Sequence, residues 1–69
     1  MKLSARNVIS GKITAINPGP VSTEVTLEVA PGVTIVSTIT STSAQSLALK
    51  QGGKAFAIIK ASSVMIAVD

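Results

Sequence analysis

Residues 21–29, VSTEVTLEV, put Val21, Thr23, Val25, Leu27 and Val29 on one side of an extended chain and Ser22, Glu24, Thr26 and Glu28 on the other. Side chains of a strand point alternately to opposite faces, so this period of two predicts a half-buried strand. Turn chemistry brackets it. Asn17-Pro18-Gly19-Pro20 precedes it and Ala30-Pro31-Gly32 follows, proline fixing φ and glycine supplying positive φ. Those turns delimit a first strand over about residues 7–16, with Gly11 as a bulge or bend, and a third over about 33–40, dense in β-branched residues.

The pattern then changes. In STSAQSLALKQGGK, a Ser or Thr at 41–43 can cap a short helix over residues 44–49, Lys50 sits where a helix C-terminus favours a cation, and Gly52-Gly53 can end it. KAFAIIK and SVMIAV read as two closing strands joined through Lys60-Ala61-Ser62-Ser63. The order β-β-β-α-β-β, with one short helix between strands three and four, predicts a mainly β, small five-stranded OB-fold-like barrel occupying residues 1–69 as a single domain. Strand rules alone leave a small SH3-like barrel open.

Length changes the picture by limiting the core. A chain of 69 residues buries only about 60% of the surface its unfolded form exposes, and with neither Cys nor His it has no disulfide and no imidazole or thiolate metal staple. Yet 46% of its residues are hydrophobic and its mean hydropathy is +0.58. Apolar surface in excess of what one small core can hide predicts self-association. The N-terminus lacks an apolar signal region, so a cytoplasmic location is expected. Residues 29–49 carry no charge, but their Pro, Gly and many hydroxyl side chains exclude a membrane span.

Charge and chemistry narrow the function. Only Glu24, Glu28 and Asp69 are acidic, and His, Cys and Tyr are absent, so the usual nucleophile, base and metal-ligand sets cannot be assembled. Glu24 and Glu28 lie roughly 13 Å apart along one strand at about 3.3 Å per residue, too far for a paired-carboxylate site. An enzyme is not expected, nor a cofactor. A single-stranded nucleic-acid binder needs aromatic stacking platforms, and the one aromatic residue, Phe56, sits in a strand where core packing explains it. What remains is donors. Arg6 and Lys60 have no carboxylate near them in sequence, Ser and Thr abound, and small neighbours leave backbone N–H groups accessible, a set suited to a small oxyanion.

SARN at 4–7, EVTLEV at 24–29, ITSTSAQSLALKQG at 39–52 and IIKASSVMI at 58–66 occur in that order across nearly the whole chain. Together they resemble the molbindins, small cytoplasmic molybdate-binding proteins also found as modules of molybdate-responsive regulators and transporter ATPases. The resemblance implies an OB-like barrel assembled as a homo-hexamer, a trimer of dimers, with molybdate or tungstate held between subunits and neither nucleic acid nor membrane as partner. It implies a first donor cluster of Ser4, Ala5 through its N–H, and Arg6, and a second of Lys60, Ala61 and Ser62. Thr40 and Ser43 would add hydroxyls at the start of the helix. A further family site, on the threefold axis, draws on the turn before the second strand. Relatives commonly show Lys-Gly and Val-Asn-Ala there, whereas this chain has NPGPVST, leaving Val21 and Ser22 as its candidates. The reading is intracellular oxyanion binding for storage or homeostasis. Its alternative is an oligomeric interaction or regulatory module that binds no oxyanion.

Overall fold

The alternation over 21–29 becomes strand β2 (Ser22–Ala30), and in the computed structural model, which describes all of residues 1–69, its inward face supplies most of the core. Val25 and Leu27 are buried there, joined by Ile13 from β1 (Asn7–Pro18). Thr23 is buried on the same face, only 2% exposed. Val21, predicted to share that face, is 74% exposed, because it lies in the turn before β2 begins and escapes the alternation.

Strand β3 (Val33–Thr40) pairs antiparallel with β2, from Ser22↔Thr40 to Ala30↔Val33. Helix α1 (Ser41–Ser46) follows, and then β4 (Lys54–Ile59) returns to pair antiparallel with β1. The sheet order is β3-β2-β1-β4. β1 serves both neighbours: its first half, from Asn7↔Ile59 to Lys12↔Lys54, pairs with β4, and its second half, from Lys12↔Glu28 to Pro18↔Thr23, pairs with β2. A strand that changes partners midway curls the sheet into a half-barrel.

The bulge in β1 falls between Ile13 and Ala15, at Thr14, rather than at Gly11. Gly11 has a different task. A Cβ built on it would stand 2.6 Å from the Glu28 carbonyl oxygen and 2.8 Å from Leu27 Cγ, so β1 passes β2 here at a distance no side chain tolerates.

The helix starts earlier than expected. Thr40 is the N-cap, its Oγ1 accepting the Ser43 N–H at 3.0 Å, and the helix ends at Ser46 rather than running from 44 to 49. Its stop is a Schellman closure: Ala48 N–H donates to Gln45 O and Leu49 N–H to Ala44 O, with Ala48 at φ 51. The Gly52-Gly53 stop is not used for this purpose, because Leu49 is drawn back against the core and ends the helix first. An alanine in the left-handed region is strained by about 1 kcal/mol. Ala48→Gly is therefore expected to raise the urea midpoint at fixed protein concentration, by a stability gain of about 1 kcal/mol. An unchanged or lowered midpoint would mean that this turn holds no strain.

Two expectations about the closing segments change. The fifth strand does not form within the chain: after β4 a 3-10 turn (Ala61–Ser63) intervenes, and residues 64–69 join no strand, with Met65, Ile66 and Val68 each more than four-fifths exposed. Phe56 does not pack inside. In β4 the inward residues are Ala55, Ala57 and Ile59, so Phe56 falls on the outer face, where Lys54 Nζ sits 5.3 Å from its ring centroid. Across the register, Val8 lies opposite Ile58, so Val8, Phe56 and Ile58 form an outward apolar patch. The buried core amounts to three apolar side chains. That is a small core for a chain of this hydropathy, and it leaves much apolar surface exposed.

Candidate functional site

Ser4, Ala5 and Arg6 lie directly before β1, and Lys60, Ala61 and Ser62 directly after β4. Because Asn7 and Ile59 are cross-strand partners, two clusters more than fifty positions apart in sequence flank one rung of the sheet. Opposed residues in an antiparallel pair sit about 5 Å apart at Cα, so the two clusters share one end of the β1–β4 ribbon. Asn7 strengthens the rung, its Nδ2 donating to Ile59 O at 3.2 Å. This tie was not read from the sequence. The signal was the asparagine of SARN, whose amide can bond a neighbouring backbone where an aliphatic strand residue cannot.

The chemistry of this end is all donor. Ser4, Arg6, Lys60 and Ser62 are exposed, and the side-chain hydrogen bonds of the chain engage Asn7, Thr14, Thr23, Thr40, Ser41 and Ser43, leaving Arg6 and Lys60 uncommitted. The 3-10 turn is closed by Ser63 N–H to Lys60 O and Val64 N–H to Ala61 O. The N–H groups of Ala61 and Ser62 stand at the start of that turn and donate to no backbone carbonyl. Two cations, serine hydroxyls and free N–H groups beside one another, with no carboxylate among them, match a compact anion with many acceptor oxygens. No group of His, Cys, Asp and Glu that could hold a metal cation exists in the chain.

Thr40 and Ser43 belong elsewhere. They stand at the end of β3, where Thr40 pairs with Ser22 and the Ser41 N–H donates to Val21 O at 2.8 Å. The fold thus groups Thr40 and Ser43 with Val21 and Ser22. Asn7 and Pro18 mark opposite ends of β1, on the order of 30 Å apart at about 3.3 Å per residue. One chain cannot bring both groups onto one small anion. Thr40 also spends its proton locally, donating to Ser43 Oγ at 2.7 Å while accepting the Ser43 N–H, which leaves the Ser43 hydroxyl proton as the free donor of the pair.

Beneath them runs a chain the sequence did not reveal. Ser41 Oγ donates to Gly19 O at 2.7 Å, so the 2.8 Å contact between Thr23 Oγ1 and Ser41 Oγ is donated by Thr23. A hydroxyl on the inward face of β2 is thereby satisfied, and the Asn17–Pro20 turn is pinned to the start of α1.

The family model of the TOBE domain matches residues 3–66, spanning both donor clusters. The chain belongs to the TOBE-domain family. Its relatives fall where the molbindin resemblance placed it. This TOBE domain is 48% identical over its whole length to the molybdenum transport protein ModE of Herbaspirillum seropedicae, although it spans only 26% of that protein. It is 41% identical to a probable molybdenum-pterin-binding protein of Haemophilus influenzae, with all of both chains covered. Among solved structures, MopII from Clostridium pasteurianum superposes with a TM-score of 0.91 at 39% identity, covering 97% of this domain and 100% of that chain. A molybdate binding protein from Sporomusa ovata gives 0.91 at 29% identity, covering 99% and 100%. No helix of this TOBE domain is long and apolar enough to cross a membrane.

Proposed function

We propose that this chain binds molybdate or tungstate reversibly at interfaces between subunits of a homo-hexamer, as an intracellular store or buffer in the cytoplasm. No bond is made or broken. The observation that carries this reading is the Asn7↔Ile59 rung, which places two all-donor clusters side by side with both cations uncommitted. Burying a dianion costs several kcal/mol unless its oxygens are met by donors, and the N–H groups of Ala5, Ala61 and Ser62 supply them without neutralising the charge outright. The names of relatives that match along their whole length support the choice of ligand.

Assembly is part of the reading. The two groups of candidate donors lie at opposite ends of β1, so Thr40, Ser43, Val21 and Ser22 of one chain can join an anion held by Arg6 and Lys60 only if another chain provides one of the two sets. The chain also offers apolar surface for such contacts, on the outer Val8–Phe56–Ile58 patch and on the open inner face that adjoins it along β4.

Native mass spectrometry with molybdate, and with sulfate as control, tests this. A hexamer that gains one molybdate per chain is the expected result, with two more if the turn at Val21 and Ser22 also binds, one for each set of three chains around the threefold axis. An oligomer that gains no mass well above micromolar anion would overturn the oxyanion reading in favour of an interaction module.

A further inference from the structure

Residues 19–21 lie outside β1 and β2, and the prolines at 18 and 20 bring no N–H with which the turn could close itself. Both hydrogen bonds that hold this turn come from one residue. Ser41 donates its N–H to Val21 O at 2.8 Å and its Oγ proton to Gly19 O at 2.7 Å. Thr23 Oγ1, on a side chain only 2% exposed, donates in turn to Ser41 Oγ at 2.8 Å, which favours the rotamer that reaches Gly19. The turn is folded tightly under this grip: a Cβ built on Gly19 would stand 2.6 Å from Ser22 O.

What the grip holds is a set of unused donors. Val21 N–H donates to no backbone carbonyl, the Ser22 hydroxyl enters no hydrogen bond, and the Ser43 hydroxyl proton is free because Ser43 Oγ accepts from Thr40. Thr40 is the N-cap directly before Ser41 and pairs with Ser22 across the sheet. Helix α1 has only six residues, too few to be rigid on its own, so its first turn depends on ties to the sheet. Without Ser41 Oγ, a single backbone bond at Val21 O would join the turn to the helix, and Gly19-Pro20 would be free to swing about it. Donors that are ordered before an anion arrives need not be ordered by it, so less conformational entropy is lost on binding.

We propose that Ser41 is a positioning residue: through Gly19 O and Val21 O it makes the turn before β2 and the Thr40–Ser43 cap one rigid donor group, which strengthens anion binding although Ser41 itself touches no anion. Thr23 supports it from the inward face of β2 by holding the Ser41 hydroxyl in place. This role deepens the proposed function and rests on it for the effect on affinity, whereas the rigidity of the group stands without any anion.

Ser41→Ala removes the bond to Gly19 but also leaves the buried Thr23 hydroxyl without a partner, which destabilises the fold. Thr23→Val removes that hydroxyl and keeps the bond from Ser41 to Gly19, so the two single variants and the double variant separate positioning from stability. Molybdate titration and urea unfolding, at fixed protomer concentration, are run on all three and on the parent. Thr23→Val is expected to bind molybdate as the parent does. Ser41→Ala and the double variant are both expected to bind about tenfold more weakly, although the double variant regains stability that Ser41→Ala alone loses. An affinity that recovers together with stability in the double variant would overturn the positioning role and leave Ser41 a purely structural residue. Amide hydrogen exchange reads the same grip with no anion present: the residue 41 amide should exchange faster in the double variant than in Thr23→Val, with the Asn7↔Ile59 end of the sheet unchanged. Equal exchange in the two would overturn the rigid group. A parent protein that takes up no molybdate would remove the oxyanion reading, and the exchange comparison would still decide whether Ser41 holds the turn.

Discussion

Lys60→Ala is expected to weaken molybdate binding by about ten- to a hundredfold while the subunits stay assembled. The ammonium follows β4 and flanks the Asn7↔Ile59 rung, and it is exposed with no hydrogen-bond partner in its own chain. A charge-assisted hydrogen bond contributes about 1.5–3 kcal/mol, and each 1.4 kcal/mol is about tenfold in affinity. The 3-10 turn is closed by backbone groups, and alanine leaves those unchanged, so loss of binding would report the side chain rather than the fold. Lys60→Arg separates charge from shape: it keeps the cation but presents a planar fork in place of a compact ammonium, and should restore part of the affinity. Calorimetric titration with molybdate in sulfate-free buffer measures both. An unchanged affinity for Lys60→Ala would take Lys60 out of the site and leave Arg6 as the cation to test.

Gly11→Ala is expected to cost about 2–3 kcal/mol of stability, a large share of the roughly 3–10 kcal/mol that a chain of this size holds. The added methyl would meet the Glu28 carbonyl oxygen at 2.6 Å and Leu27 Cγ at 2.8 Å. Leu27 is 6% exposed and part of the core, and Glu28 is held in the ladder opposite Lys12 on one side and Thr34 on the other. Neither can retreat without breaking pairing. Gly11 is flanked by paired residues, with Ala55 opposite it, so β1 cannot move away on its other side. Denaturant unfolding at fixed protomer concentration gives the measurement, because assembly makes the midpoint depend on concentration. A midpoint within experimental error of the parent would show that β1 slides past β2 at little cost.

The strands were legible because their signals are local. β3 runs over the residues its β-branched density marks, and β2 follows its alternation within one residue of the expected bounds. The helix was legible as an element and misplaced in register, since Ser and Thr at 41–43 and Thr40 all have cap chemistry. Only the pairing of Thr40 with Ser22 fixes which of them stands where the strand ends. Phe56 was misread because KAFAIIK alternates small and large residues, and alternation alone does not say which face is inward. The pairing with β1 decided that the alanines face in. At the candidate site the residue types were readable from SARN and KAS, but not their grouping. That Arg6 and Lys60 flank one rung, while Thr40 and Ser43 stand at the far end of β1 with Val21 and Ser22, follows from the register of β1 against both neighbours.

By itself the sequence determined a small β domain rich in donors and poor in acids, lacking His, Cys and Tyr and dense in apolar side chains. These follow from composition and from periods of two to four residues, which act over a few ångströms. The tertiary structure decided the strand count and the partition of the donors. Pairing between distant segments is fixed by which apolar faces can be buried together, and the inner face is filled by only three side chains before β3 and β4 run out of partners. The same shortage of core that composition announced thus appears in three dimensions as an open slot between two strand edges.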